Sequence, residues 1–193
     1  SGVLVSGTGT FLALVGTRVA DTGPASPALD LKDRSHDGHF GIGFGLINGA
    51  SAEVRASWLG GNHSAGIMAT VSHVTVDGCV VVDTQLAEYR DTSLAAPTQL
   101  ADGIALMSSL SAQISHSVVF GSKRAGVLMD GGLGIEIANL AVTGNLIGIA
   151  SQSAAKVALV GNAVWQNSQA NLAADIELVA PVAPKVVVQE SPP

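Results

Sequence analysis

One stretch of 22 residues decides the fold: GVLMDGGLGIEIANLAVTGNLI, at positions 126–147. It holds three short runs in which apolar residues alternate with other residues, at 127–129, 135–137 and 141–142. A period of two predicts β-strands, because successive side chains of a strand point to opposite faces. Small and polar residues between the runs, such as Gly131-Gly132, predict turns. The stretch therefore predicts three short strands and no helix.

The same order of runs recurs along the whole chain. Each unit begins at an anchor, a Gly followed by an apolar residue, and Asn replaces Gly in the last unit. The anchors are Gly2-Val3, Gly43-Phe44, Gly66-Ile67, Gly103-Ile104, Gly126-Val127, Gly148-Ile149 and Asn171-Leu172. Four of the six steps between them are 22 or 23 residues, and the two longer steps indicate insertions. We expect Gly and Asn here because both tolerate a left-handed backbone.

Units of this kind predict an all-β fold, a right-handed single-stranded parallel β-helix of about seven coils with three short strands per coil. Equivalent residues of neighbouring coils then lie about 4.8 Å apart. A core this narrow suits Val, Ile, Leu and Ala, and only 4% of the residues are aromatic. No ten-residue stretch has helical spacing, which excludes the crossover helices of an α/β sheet. We predict a β-helix domain over 1–179 and a Pro-rich strap or linker over 180–193.

The composition excludes several classes of protein. Hydrophobic residues make up 47% of the chain and charged residues 12%, the reverse of a disordered protein or a coiled coil. The net charge of −6 argues against a nucleic-acid partner. Cys79 is the one cysteine, which excludes internal disulfides and Cys-rich metal sites. The apolar stretches are short and interrupted, so we predict no membrane insertion.

The units resemble the repeats of right-handed parallel β-helix proteins, the pectate-lyase-like architecture of pectate lyases, polygalacturonases, alginate epimerases and many bacterial surface proteins. They are closest in style to bacterial surface arrays whose units pair with a Gly-Ala-Ser unit, a place that residues 49–51 fill here. The resemblance implies an extracellular or cell-surface location, and most such arrays have no assigned activity. Because a unit begins at Ser1, we also expect further coils N-terminal to it in a parent chain, or an oligomer partner.

Two insertions, at 21–40 and 84–102, fall at the same point of their units. The same point of a coil means the same side, so we expect them to roof one lateral face. Functional side chains often sit on loops that a rigid scaffold holds. The candidate binding residues of this face are Asp33, Arg34, His36, Asp37, His39, Glu88, Tyr89, Arg90 and Asp91.

Three functions stay open. The leading hypothesis is a non-enzymatic segment of a larger bacterial surface or secreted protein that presents this loop-built face to a carbohydrate or protein ligand. The alternative is a polysaccharide lyase, epimerase or hydrolase that uses Asp33, His36, Asp37, His39 and Arg90 as acid, base and anion-binding groups. The third is a structural spacer or self-associating stalk. The Gly-His-Gly and Asp-Pro-His motifs of the related enzymes are absent, which favours a non-enzyme.

Smaller signals complete the sequence-based expectations. We predict no cofactor and no bound metal, Ca²⁺ being the one ion that the loop carboxylates would suit. Asn62-His63-Ser64 fits the glycosylation pattern. Trp58 and Trp165 fall in third strands, where packing in the wall or under a loop is the expectation and stacking on a sugar ring is the alternative.

Overall fold

The computed structural model describes residues 2–23, 41–89 and 98–174. Within these ranges every regular element is a strand. The twenty strands are β1 (Val3–Ser6), β2 (Phe11–Val15), β3 (Arg18–Ala20), β4 (Phe44–Ile47), β5 (Ser51–Arg55), β6 (Trp58–Gly60), β7 (Ser64–Thr70), β8 (His73–Asp77), β9 (Val80–Val82), β10 (Ala87–Tyr89), β11 (Thr98–Met107), β12 (Ser111–Ser115), β13 (Val118–Phe120), β14 (Ala125–Asp130), β15 (Ile135–Ala138), β16 (Ala141–Thr143), β17 (Ile147–Gln152), β18 (Val157–Val160), β19 (Ala163–Trp165) and β20 (Ala170–Ala174).

These strands form three sheets that the chain visits in turn. The first sheet has the order β1-β4-β7-β11-β14-β17-β20, the second β2-β5-β8-β12-β15-β18 and the third β3-β6-β9-β13-β16-β19. All neighbours along these orders are parallel, and β10 adds one antiparallel pairing, with β11. The predicted all-β class with parallel strands is confirmed, and the three sheets are compatible with a β-helix.

The strand register follows the sequence repeat. The apolar anchor residues pair across the first sheet in one column: Val3, Phe44, Ile67, Ile104, Val127, Ile149 and Leu172. Except for Leu172, which is 59% exposed, this column packs with the inward residues of the other two sheets in one continuous apolar core. Phe44 is the one aromatic residue that this core holds among the described residues, as a narrow interior requires. The predicted repeat therefore sets the pairing of the strands.

The anchor glycines have a different role from the one expected. None of the described anchor residues has a positive φ, so the expectation of a left-handed backbone was wrong. A Cβ on Gly66 would lie 2.7 Å from the carbonyl oxygen of Gly103, and a Cβ on Gly103 would lie 2.6 Å from that of Gly126. Real Cβ atoms do not approach so closely. Glycine is required because the backbone of the next unit leaves no room for a side chain.

The chain turns differently at two of its corners. We call the turns from second-sheet to third-sheet strands the tight corner, which is always two residues long: 16–17, 56–57, 78–79, 116–117, 139–140 and 161–162. The open corner leads from the third sheet back to the first and begins at Asp21, Gly61, Asp83, Gly121, Gly144 and Gln166. Its length ranges from three residues at 144–146 to 23 residues at 21–43. Every one of these corners begins with a residue of positive φ.

Both predicted insertions depart from the open corner. Asp21 and Asp83, at these departure points, occupy equivalent positions and share a φ of 53°. Part of the predicted second insertion is strand, because β10 pairs with residues 98–100 and residues 98–102 belong to β11. The segments 24–40 and 90–97, and with them the predicted roof, lie outside the described residues, as does the predicted strap over 180–193.

Candidate functional site

Most of the predicted binding residues cannot be assigned a position. Asp33, Arg34, His36, Asp37, His39, Arg90 and Asp91 lie outside the described residues. Glu88 and Tyr89 belong to β10, where their backbones pair with Gln99 and Thr98. The loop-built face, the roles of its acid and base residues and the expected absence of a cofactor or bound metal therefore stay predictions.

A buried ion pair lies at the open corner. Asp102, the last residue of the predicted second insertion, is instead a buried residue of β11. Its Oδ1 accepts hydrogen bonds from Nε of Arg124 (2.8 Å) and from the backbone N–H of Ala125 (3.2 Å), and its Oδ2 accepts from Nη2 of Arg124. The side chains of Asp102 and Arg124 are 1% and 9% exposed. The pair ties β11 to the start of β14, which is a positioning role.

Several other polar groups are buried at the same corner. Ser64 Oγ, Thr84 Oγ1, Ser122 Oγ and His63 Nδ1 are buried without a hydrogen-bond partner. Such atoms are rare in folded proteins. They do not converge on a metal site, because no group of three or more His, Cys, Asp or Glu residues in the described part could hold an ion.

The outward side of the second sheet is polar over its middle strands, β5, β8, β12 and β15, and we call this part the polar face. The outward residues of the flanking strands β2 and β18 are apolar: Phe11, Ala13, Val15, Ala158 and Val160. The residues of the polar face stand in three columns that the strand register aligns. The columns are Ser51, His73 and Ser111; Glu53, Thr75, Gln113 and Glu136; and Arg55, Asp77, Ser115 and Ala138. The residues between these columns belong to the core, so the alternation along each strand separates a dry side from a hydrogen-bonding side.

One network on the polar face combines an Asp, a Ser and a His. Asp77 Oδ1 accepts a hydrogen bond from Ser115 Oγ at 2.7 Å and lies 2.9 Å from Nδ1 of His116. The hydrogen bond to His116 and then that to Ser115 lower the pKa of Asp77. A nucleophilic serine would need its hydroxyl on the His base, whereas Ser115 bonds to the carboxylate and Nε2 of His116 lies 3.4 Å from Asn139. The three residues do not form a catalytic triad.

A shallow depression of about 150 Å³ lies beside this network, lined by Gln113, Ile114, Ser115, Glu136 and Ala138. It exists because the small Ala138 follows Ser115 in its column. Gln113 and Glu136 are exposed, and neither side chain has a hydrogen-bond partner within the described ranges. An amide and a carboxylate are therefore available here to a ligand.

The outward side of the third sheet is mostly apolar, and we call it the aromatic face. One outward column is Arg18, Trp58, Val80, Val118, Ala141 and Ala163, and the other is Ala20, Gly60, Val82, Phe120, Thr143 and Trp165. Phe120 and Trp165 are 45% and 41% exposed. Trp58 is half-buried, with its indole over Gly60 and the guanidinium of Arg18 4.7 Å from the ring centroid. Trp58 therefore packs on the wall, as predicted, whereas Trp165 is open to solvent.

Two polar residues that drew attention in the sequence are structural. Asn62 is fully buried, and its Oδ1 accepts a hydrogen bond from the backbone N–H of Thr22 at 3.2 Å, so it is no acceptor for a glycan in the folded protein. Cys79 is buried at the tight corner, and its Sγ lies 3.2 Å from the carbonyl oxygen of Val54. Burial raises the pKa of the Cys79 thiol, which makes it a poor nucleophile.

Comparison with protein-family models, with curated proteins and with solved structures found no significant match to this chain. No helix within the described ranges is long and apolar enough to cross a membrane. The case for a function consequently depends on the geometry of the faces.

Proposed function

We propose that the protein is a non-enzymatic recognition scaffold: a pectate-lyase-like, right-handed parallel β-helix of about seven coils, part of a larger bacterial surface or secreted protein. In this proposal it binds a carbohydrate or protein ligand outside the cell and needs no cofactor. The polar face is the single observation that carries the proposal, because its free hydrogen-bonding groups stand in register on a rigid sheet.

The polar face has the chemistry of a recognition surface. The Gln113 amide both donates and accepts hydrogen bonds, and the Glu136 carboxylate accepts them. The hydroxyl of Ser115 is committed to Asp77 as a donor, so its oxygen is left as an acceptor. A ligand rich in hydroxyl or N–H groups would match this set. Strands hold such groups more firmly than loops do, which lowers the entropic cost of binding.

The same face offers little to a catalyst. The Asp77, Ser115 and His116 network lacks a bond between nucleophile and base. The enzyme alternative depends on the loop residues, for which the described part of the chain offers no geometry. The arrangement of Asp77, Ser115 and His116 therefore favours binding without turnover on the polar face.

The proposal is tested by screening the purified protein on an array of glycans and surface proteins and then measuring its affinity for each hit. Gln113→Ala and Glu136→Ala should each weaken binding about tenfold, the value of one hydrogen bond to a charged or strongly polar group. Gln99→Ala is the matched control, because Gln99 is an exposed glutamine on β11 of the first sheet.

Two results would contradict the proposal. If the two polar-face variants bind like the Gln99→Ala control, recognition does not use this face. If the protein releases unsaturated products from uronic-acid polymers, followed by ultraviolet absorbance with and without Ca²⁺, it is an enzyme.

A further inference from the structure

We infer that the aromatic face is a second binding surface, a platform for an extended, uncharged 1,4-β-linked polysaccharide lying across the strands of the third sheet. This inference goes beyond the proposed function, because it concerns a different face, a different mode of contact and its own ligand.

The dimensions of the aromatic face fit a narrow ligand. The strands of the third sheet are three residues long and six in number. With about 3.3 Å per residue and about 4.8 Å between strands, the face measures roughly 10 Å by 25 Å. A stable dimer buries about 800 Å² on each partner, roughly three times this area. A second copy of the chain is therefore a poor occupant, whereas a single polymer strand would cover the face along its length.

Aromatic residues recur at every second strand. Phe120 and Trp165 stand in one outward column with Thr143 between them, so their Cα atoms are two strand spacings apart, about 10 Å, and the ring of Phe120 lies over Gly144. The indole of Trp58 lies over Gly60, which is two strands before Phe120 in the same column. A 1,4-β-linked chain turns each sugar over relative to the one before, so it presents the same ring face at every second sugar, with a repeat close to this spacing. Aromatic rings at alternate strands would meet equivalent faces of alternate sugars.

The aromatic face carries little charge, which favours an uncharged polymer. Arg18 is the single charged residue in the two outward columns of the described third sheet, and its guanidinium already stacks on Trp58. Uronic acids would need further cations, which these columns do not supply. The C–H face of a neutral pyranose, by contrast, needs only apolar and aromatic surface, and Thr143 adds one hydroxyl between the two exposed rings.

The test measures depletion of the protein from solution by microcrystalline cellulose and by chitin, with polygalacturonate as the charged comparison. The wild-type protein should bind the two neutral polymers and not the charged one. Phe120→Ala and Trp165→Ala should each weaken binding about two- to twelvefold, the range expected for one aromatic stack. Phe120→Tyr should keep it. Phe11→Ala is the matched control, because Phe11 is 60% exposed on β2 of the second sheet.

Three results would overturn the inference. The first is no depletion by either neutral polymer, and the second is binding by the Phe120→Ala and Trp165→Ala variants equal to that of Phe11→Ala. The third is a concentration-dependent dimer in analytical ultracentrifugation that Phe120→Ala abolishes, which would assign the face to a second copy. Circular dichroism of each variant confirms that it folds. Gln113→Ala should leave cellulose binding unchanged, so failure of this inference and failure of the proposed function are distinguishable.

Discussion

The tight corner and the open corner both turn the chain from one sheet to the next, but they differ in how much their length varies. At both, a residue of positive φ is followed by a residue that faces the interior and often accepts a hydrogen bond from the preceding unit. Asn162 Oδ1 accepts from the N–H of Leu140 at 2.9 Å at the tight corner, and Asn167 Oδ1 accepts from the N–H of Asn145 at 3.0 Å at the open corner. The tight corner never changes its length, whereas the open corner varies several-fold.

The difference teaches where this fold accepts irregularity. The tight corner has an inward ladder, in which Ser57, Cys79 and Ser117 occupy equivalent places, and on its outer side His116 lies between Asp77 and Asn139. The open corner has such a ladder too, but it also holds the Asp102–Arg124 pair and several buried hydroxyls without partners. Asp102, for example, lies on β11, the strand into which the second insertion leads.

The largest expected effect concerns the ion pair of the open corner. Arg124→Ala should lower the free energy of unfolding by about 3–5 kcal/mol, because it leaves the Asp102 carboxylate buried and uncompensated. Urea denaturation followed by circular dichroism measures this. The control is Arg55→Ala, because Arg55 forms an exposed pair with Glu53 at 3.2 Å and should cost less than about 1 kcal/mol. If the two variants lose the same free energy of unfolding, burial does not make the Asp102–Arg124 pair more important for stability than an exposed pair.

The second effect compares one glycine from each region. Gly103→Ala, within β11, the strand that the open corner leads into, should cost about 3 kcal/mol, because its Cβ would collide with the backbone of the next unit. Gly16→Ala, at the tight corner, should cost about 1 kcal/mol. Gly16 has a φ of 59°, which an alanine adopts with strain, but a Cβ on it would meet no atom within 4 Å. Thermal unfolding of the two variants checks the order. A larger loss for Gly16→Ala would mean that backbone conformation, not crowding, selects these glycines.

The third effect has opposite signs at the two corners. Thr84→Val at the open corner should raise the free energy of unfolding by about 1 kcal/mol, because it removes a buried hydroxyl that has no partner. Ser57→Ala at the tight corner should lower it by about 1–2 kcal/mol, because Ser57 Oγ donates to the carbonyl of Arg55 at 2.8 Å and accepts from the N–H of Thr17 at 3.2 Å. Chemical denaturation gives both values. Destabilisation by Thr84→Val would imply that the hydroxyl is satisfied in solution.

The smallest effect is a pH dependence beside the tight corner. The native pKa of Asp77 is lowered by the hydrogen bond to His116 and then by that to Ser115, so its ionised form favours folding. This contribution is present above the unfolded pKa of about 3.9 and is lost as the pH falls through the lower native pKa. Wild-type protein should therefore lose slightly more stability between about pH 5 and pH 2 than Asp77→Asn does. Parallel acid titrations followed by circular dichroism would show coinciding curves if the interaction is too exposed to matter.

The sequence predicts the strands and their register well, because the residues that repeat along the chain are the ones that pair between neighbouring units. Val127 pairs with Ile149, one period apart, and the core needs an apolar residue at each such place. The expected reason for the anchor glycines, a left-handed backbone, was wrong. Glycine is selected both by a left-handed φ and by the close approach of a neighbouring backbone. The sequence alone cannot distinguish them.

The candidate sites were harder to predict, because a charge has no periodic signature of its own. Asp102 looks like the last residue of the second insertion, although Arg124 follows it after one period of 22 residues, and that spacing is the signal that would have identified the pair. The polar and aromatic faces also follow from the register once it is known. Gln113 and Glu136 align in one column, and so do Phe120 and Trp165. Without the strand pairing, these residues are far apart in the sequence and form no recognisable motif.

The fixed length of the tight corner has a consequence for engineering. A peptide grafted into the open corner at 144–146 would leave the sheets in register, because the chain already makes excursions of very different length there. One residue added at 161–162 would instead move the side chains of β19 to the opposite face of the third sheet. The open corner could therefore display grafted peptides at several adjacent attachment points, about one strand spacing apart.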